Sequence, residues 1–454
     1  MKHKINPILS IMIISIIHLL TSCESFLEEK PNKDIVVPNT LEDMQALLDN
    51  SVQLFNTSPC IPQIAADDFV ITDEGLLNLS QPVERNAYLW ADEVYEGMPN
   101  YDWNYTYEQV FYANVVLEQL RDYKGAETSQ YNEIKGSALF LRAIAYYQLL
   151  QVYAPAYDQA SRIDTLGIIL KDSPDVNESP SRASLQESYN KVIGDLVKAK
   201  ELLPLSVAIP TRPTQVAALS LLSKVFLEMG DFDLALENAL SALALKSDIM
   251  DYNYIDVDER RPFDVFNEEV IFHSTSLTYS FMTNSEVSIS PELIDQYKEG
   301  DLRKKAFFDV TDDGRYRLVG SYSGNYVWFS GITVPEVLLT AAECMVRKGN
   351  RTGALSLLMD LLNKRYIPEA LPDYSSLEDK ELFEAILEER RKELVGRGTR
   401  WTDLRRLNKE VDLKETLFRE MNGEVISLAP NDLKYVFPIP DDEIRRSGVK
   451  QNPR

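Results

Sequence analysis

The sequence predicts an all-α fold, in which helical hairpins act as scaffold for long irregular loops and a few short strands. Three observations carry this expectation. Apolar residues recur at steps of three and four along much of the chain. Two segments set 119 residues apart resemble one another. Between the helical stretches lie two long segments of aromatic and small polar residues with no helical period.

Tyr189, Val192, Leu196, Ala199 and Leu203 fall on one face of a helix. Ser184 precedes them with Glu187 three residues on, a capping box, and Pro204 closes the run. Ile134, Ala138, Leu141, Ala145 and Leu149 repeat the pattern. Thr40 and Asp43 open an early helix carrying Leu41, Met44 and Leu48.

The related segments are Leu219–Leu243 and Leu338–Leu362. Each reads as an apolar helix, then Gly-Asp (230–231) or Gly-Asn (349–350), then a second helix with alanine five residues after the glycine, at Ala235 and Ala354. Glycine supplies the left-handed conformation that ends the first helix, and alanine lets the pair approach closely. This is tetratricopeptide-like packing, in which each hairpin buries its face against a neighbour. About four hairpins are expected, near 106–152, 185–245, 334–365 and 378–408. The intervening segments 51–105 and 247–333 are too long for simple connections and too aromatic for disorder, so they are expected to be functional loops.

The N-terminus sets the compartment. Lys2 and Lys4 precede the apolar run Ile8–Leu20, which is followed by Leu20-Thr21-Ser22-Cys23. Basic, apolar and small residues in that order form a secretory signal, and the run is too short to span a bilayer. A cysteine directly after the small residues is an expected lipidation site. Residues 1–22 are therefore expected to be removed, 23–38 to be a lipidated tether, and 39–454 to be a single domain with no internal linker. Membrane attachment would rest on the acyl chains alone.

Composition excludes several classes. The formal charge of −24 becomes −26 when the two lysines of residues 1–22 are lost, which argues against nucleic acid and against electrostatic docking on anionic lipid. Only three histidines exist, and His3 and His18 leave with the signal. His273, after Glu269-Val-Ile-Phe272, reads as a structural residue beside a short strand. No metal site and no cofactor is expected. Cys60 and Cys344 read either as a disulfide or as two buried thiols.

Beyond these patterns the chain resembles the SusD/RagB family over nearly its whole mature length. The resemblance begins at Cys23-Glu-Ser-Phe-Leu-Glu-Glu-Lys-Pro31 and continues at Phe111-Tyr-Ala-Asn114 and Lys135-Gly136-Ser-Ala138-Leu-Phe-Leu-Arg142. It runs on through Pro180-Ser-Arg182-Ala-Ser184. Its most specific part is Glu388-Glu-Arg390-Arg391-Lys-Glu393-Leu394, Gly398-Thr-Arg400-Trp401-Thr-Asp403-Leu404-Arg405-Arg406, and the ending Tyr435-Val-Phe-Pro438-Ile-Pro440 with Gln451-Asn-Pro453. The resemblance implies four tetratricopeptide-like hairpins, a TonB-dependent (SusC-like) transporter barrel as partner, an outer-membrane location facing the exterior, and capture of oligosaccharides or sometimes peptides. It implies no enzyme activity. A purely protein-binding scaffold and a glycan-degrading enzyme using Asp67-Asp68 or Asp92-Glu93 are the competing readings.

The acids and arginines of the signature are expected to pair with one another along a helix surface, with Trp401 under the guanidinium planes. A sugar ligand needs flat apolar faces beside planar hydrogen-bonding groups. The segment 85–105 offers Trp90, Tyr88, Tyr101 and Asp92. The segment 276–284 offers Tyr279 and Phe281, and 315–328 offers Tyr322 and Tyr326. Trp103 and Trp328 read as core. Replacing Cys23 by Ala is expected to release the protein from the membrane fraction and to abolish palmitate labelling. A variant still retained in the outer membrane would contradict the lipid anchor.

Overall fold

A computed structural model of the 454-residue chain describes residues 38–51 and 53–454. The signal, the lipidation site Cys23 and most of the tether lie outside the described residues. From Thr40 to Arg454 the chain forms one compact unit.

Ten helices carry the architecture. They are α1 (Leu41–Leu48), α2 (Tyr101–Asp122), α3 (Ser129–Tyr153), α4 (Leu185–Leu202), α5 (Gln215–Met229), α6 (Phe232–Leu245), α7 (Val334–Arg347), α8 (Arg351–Leu362), α9 (Asp379–Glu393) and α10 (Arg400–Leu407). The expected start signals operate: Thr40 with Asp43 and Ser184 with Glu187 form reciprocal capping boxes. Sequence neighbours are spatial neighbours. Helix α3 packs between α2 and α4, α5 between α4 and α6, and α7 against α6, α8 and α9.

The two related segments are the hairpins α5–α6 and α7–α8. Gly230 and Gly349 sit at φ 74° and φ 76°, the left-handed region that closes a helix at little cost only for glycine. Ala235 and Ala354 are fully buried where the paired helices meet. One boundary differs from expectation. Residues 185–245 hold three helices, because Pro204 ends α4 and a connector precedes the Thr214 cap of α5.

Among the described residues the strands form six two-stranded sheets. Two of them join the irregular segments to each other: Thr57–Ser58 pairs in parallel with Thr275–Ser276, and Phe69–Ile71 pairs antiparallel with Val287–Ile289. Val270–Phe272 pairs with Ile332–Thr333, which leads directly into α7. The segments expected as separate loops are thus one interlocked layer. Its core is aromatic. Phe69 stacks on Trp328 at 4.4 Å, and Phe281 meets both rings edge-on. Cys60 and Cys344 are free buried thiols.

Ala354→Leu is expected to force α7 and α8 apart and to cost about 1–3 kcal/mol. Denaturant unfolding measures this; an unchanged midpoint would mean that the close helix approach is not set by the small residue.

Candidate functional site

The C-terminal signature supplies the densest charge cluster, and its geometry is structural. Glu389, Arg390, Lys392 and Glu393, on the last turn of α9, are all buried. Glu393 receives Arg365 at 2.9 Å and Arg303 at 3.2 Å. Arg303 also pairs with Asp301 at 2.7 Å and Glu389 at 2.6 Å, and Arg365 with Glu269 at 2.5 Å. Burial pushes the Glu393 carboxyl up, but Arg365 and Arg303 outweigh it and hold the group ionised.

A second row lies one turn back. Arg390 and Arg406 grip Asp403 at 2.9 and 2.8 Å, and Arg406 also pairs with Glu343 at 2.6 Å. Burial raises Asp403, and the two guanidinium groups bring it down to about 2. In a third row, Arg391 and Arg400 meet Asp67 at 2.9 and 2.8 Å, and Arg391 reaches Asp68 at 2.9 Å.

The expected pairing within the α9 surface is therefore corrected in detail. Arg390 and Glu393 do not pair with each other, because Asp403 takes the Arg390 guanidinium while Arg365 and Arg303 take the Glu393 carboxylate. Trp401 is not under an arginine either: its ring packs on Tyr435 and Phe437 at 4.7 and 5.9 Å. His273 is half-buried between Phe266 and Phe329, and burial lowers its pKa.

Five of the eight predicted ligand aromatics and acids are core residues. Trp90 is 2% exposed, donates Nε1–H to the Ala65 carbonyl at 3.0 Å, and holds a left-handed backbone at φ 50°. Its platform is occupied by Arg419, whose guanidinium lies 3.5 Å from the Tyr88 ring centre and 4.5 Å from that of Trp90. Arg419 also caps the carbonyls of Ala65 and Ala66 at the end of helix Ile61–Ala65. Tyr88 accepts from the Ile71 amide. Tyr279 donates to buried Asp102, whose carboxyl burial pushes up to about 6. Phe281 fills the layer core, and Tyr322 donates to Glu269 beneath the Arg397 guanidinium. The alternating aromatic and polar composition of these segments therefore reflects a dry layer with internal partners, not a solvent-facing platform.

Three predicted residues remain at the surface. Tyr101 is 45% exposed and tilts against Tyr105, with ring centres 6.2 Å apart. Tyr326 is 54% exposed. Asp92 is exposed and hydrogen-bonded by Lys434 at 2.9 Å, which lowers its pKa. The structure does not show these three meeting in one pocket. Trp103 and Trp328 are buried, as expected.

Two sizeable concavities lie elsewhere. A cleft of about 700 Å³ lies between residues 155–165, Arg405, Lys409 and the C-terminal segment 431–453. A groove of about 710 Å³ follows α2 between Trp103 and Asn114, walled by residues 169–180 and by Glu443 and Arg446. Sequence reasoning missed both, since their walls join segments far apart in the chain. The spacing of Tyr101, Tyr105, Glu108 and Tyr112 along one helix face was the available signal.

A stack of helical hairpins bearing an interlocked loop layer, pinned by buried ion pairs, defines a helical-repeat scaffold protein. The chain belongs to the SusD/RagB family: the SusD family model matches residues 321–454, and a SusD-like model described as starch-binding, associating with the outer membrane, matches residues 25–227. It is 22% identical to SusD-like protein P38 of Formosa agariphila over 498 residues, covering 91% of this chain and 93% of that protein. It is 23% identical to SusD-like protein P2 of the same organism, covering 99% of each. Among solved structures, a SusD superfamily protein of Bacteroides thetaiotaomicron superposes with TM-score 0.73 at 20% identity, covering 91% of this chain and all of that one. A sugar-binding protein of Bacteroides vulgatus gives 0.75 at 22%, covering 91% and 98%. A laminarin-binding SusD-like protein gives 0.64 at 19%, covering 90% and 97%. At these identities the structural likeness establishes the fold.

Two stability outcomes follow from the packing. Trp90→Ala is expected to cost about 3–5 kcal/mol, seen as a lowered melting temperature; an unchanged melting curve would return Trp90 to the surface. Glu228 is buried with an unpartnered Oε1, and burial pushes its carboxyl up to about 7. Its folded pKa exceeds the unfolded value, so ionisation opposes folding increasingly as pH rises from about 4 through 7. Glu228→Gln is expected to gain stability over the parent chain between pH 5 and 8, and a flat difference across that range would refute the assignment.

Proposed function

We propose that this chain is a lipid-anchored glycan-binding protein of the cell surface, which captures oligosaccharide and passes it to a TonB-dependent, SusC-like transporter of the outer membrane. The observation that carries the reading is the match of both ends of the chain to SusD family models, one of them described as starch-binding in association with the outer membrane. The lipobox-like order ending in Cys23 supports the anchor, with residues 1–22 as signal, 23–38 as tether and 39–454 as the binding domain. No described helix is long and apolar enough to cross a membrane, so in this reading attachment falls to lipid at Cys23.

The assignment as a binding protein, not an enzyme, draws support from the charge pairing. Asp67 and Asp68, the acidic pair nearest the signature, are held by Arg391 and Arg400 at 2.8–2.9 Å, and are thereby committed to the fold. Tyr101 and Tyr326 are the retained ligand candidates, as exposed rings able to lie against the C–H face of a sugar.

Affinity purification from native membranes in mild detergent is expected to recover a large barrel protein in near-equal amount with the lipoprotein. Recovery of the lipoprotein alone would count against the transporter partnership. Glycan-array binding by the purified chain tests the capture step separately.

A further inference from the structure

Helix α2 keeps one face open to solvent. Tyr101, Asn104, Tyr105, Glu108, Phe111 and Tyr112 recur at helical spacing and span roughly 16 Å of axis at 1.5 Å per residue. The first four are exposed and the last two are half-buried. The distal part of this strip forms one wall of the 710 Å³ groove, opposite residues 169–180 and the helix Asp441–Ser447.

What distinguishes this strip from the loop layer is that its polar ends are unused. The Asn104 amide, the Glu108 carboxylate and the hydroxyls of Tyr101, Tyr105 and Tyr112 have no side-chain hydrogen-bond partner among the described residues. In the loop layer, Tyr88, Trp90, Tyr279 and Tyr322 all have such partners. Aromatic faces beside an amide and a carboxylate match a pyranose, which presents a C–H face and a rim of hydroxyls. Phe111 and Tyr112 meet edge to face at 5.2 Å, so their rings present two differently oriented surfaces.

The charge around the groove narrows the ligand class. Glu108, Asp175, Glu178 and Glu443 line it against Lys171 and Arg446. Both cations have acidic neighbours: Lys171 lies 3.4 Å from Glu178 and Arg446 3.6 Å from Asp442. Partial burial of its carboxyl against the groove wall already raises Glu108, and a second anion beside it would meet a like charge. The chain as a whole is strongly acidic.

We propose that the α2 groove is a glycan subsite that takes an uncharged oligosaccharide along the helix and disfavours uronate and sulfated chains. This rests on the glycan-binding reading above and adds the place and the charge class of the ligand. The test is calorimetric titration of the full chain with two panels of matched-length oligosaccharides. One panel holds neutral glucans, mannans and xylans; the other holds polyuronates and sulfated galactans. At least one neutral member is expected to bind, with affinity reduced about tenfold or more in the double variant Asn104→Ala, Glu108→Ala. Both positions are exposed, so its melting temperature is expected to match that of the parent chain.

Neutral binding that is unchanged in the double variant overturns the site, and so does a charged oligosaccharide binding more tightly than every neutral one. Binding lost in Tyr326→Ala but intact in the double variant leaves the glycan reading standing and removes this groove. Binding to neither panel overturns the glycan reading and this inference with it.

Discussion

Glu393 holds the molecule together at the junction of its two halves. It sits at the end of α9, fully buried, and receives Arg365 from beyond α8 and Arg303 from the irregular layer. Neither arginine can enter a dry interior without carboxylates, since an unpaired buried charge costs several kcal/mol. The same two arginines collect Asp301, Glu389 and Glu269. The cluster also includes Lys392, 2.6 Å from Glu389, and Arg397, whose guanidinium lies over Tyr322. Hairpin and loop layer are thus joined by groups that are satisfied only when both are in place. Apolar contact alone would tolerate sliding; paired and hydrogen-bonded charges fix a single register.

The other two rows extend this principle. Arg406 binds α10 to α7 through Glu343, Asp403 binds α10 to α9 through Arg390, and Asp67 ties its loop to both α9 and α10 through Arg391 and Arg400. Arg419, which makes no ion pair among the described residues, is accommodated differently. Two aromatic faces and a row of helix-terminal carbonyls surround it, and burial lowers its pKa to about 10. A segment that reads as a cluster of potential catalytic groups is therefore a set of clamps.

The loop layer and the α2 face differ in the polarity they leave open. A layer whose aromatic rings are stacked and whose hydroxyls are bonded presents little unsatisfied polarity at its surface. The exposed face of α2 is the reverse. It stands on a 22-residue helix packed against α3, so its spacing is fixed by the helix, while its polar ends stay free. A rigid backbone lowers the ordering cost of any binding there, while each free side chain still has to be immobilised.

The helices, their caps at Thr40 and Ser184, and the glycine turns at 230 and 349 were legible in the sequence, because each depends on residues within one or two turns. The structural nature of the signature and of His273, Trp103 and Trp328 was also legible, from spacing and strand alternation. The fate of the loop aromatics was not. Tyr88 and Trp90 look like a platform until Arg419, more than 300 residues away, occupies it. Tyr279 and Tyr322 look free until Asp102 and Glu269 accept hydrogen bonds from their hydroxyls. Periodicity and local chemistry determined which segments are helical and where each one stops. Which aromatic is core and which is surface was decided by long-range pairing between segments, since burial depends on what the tertiary fold brings to the other side of the ring.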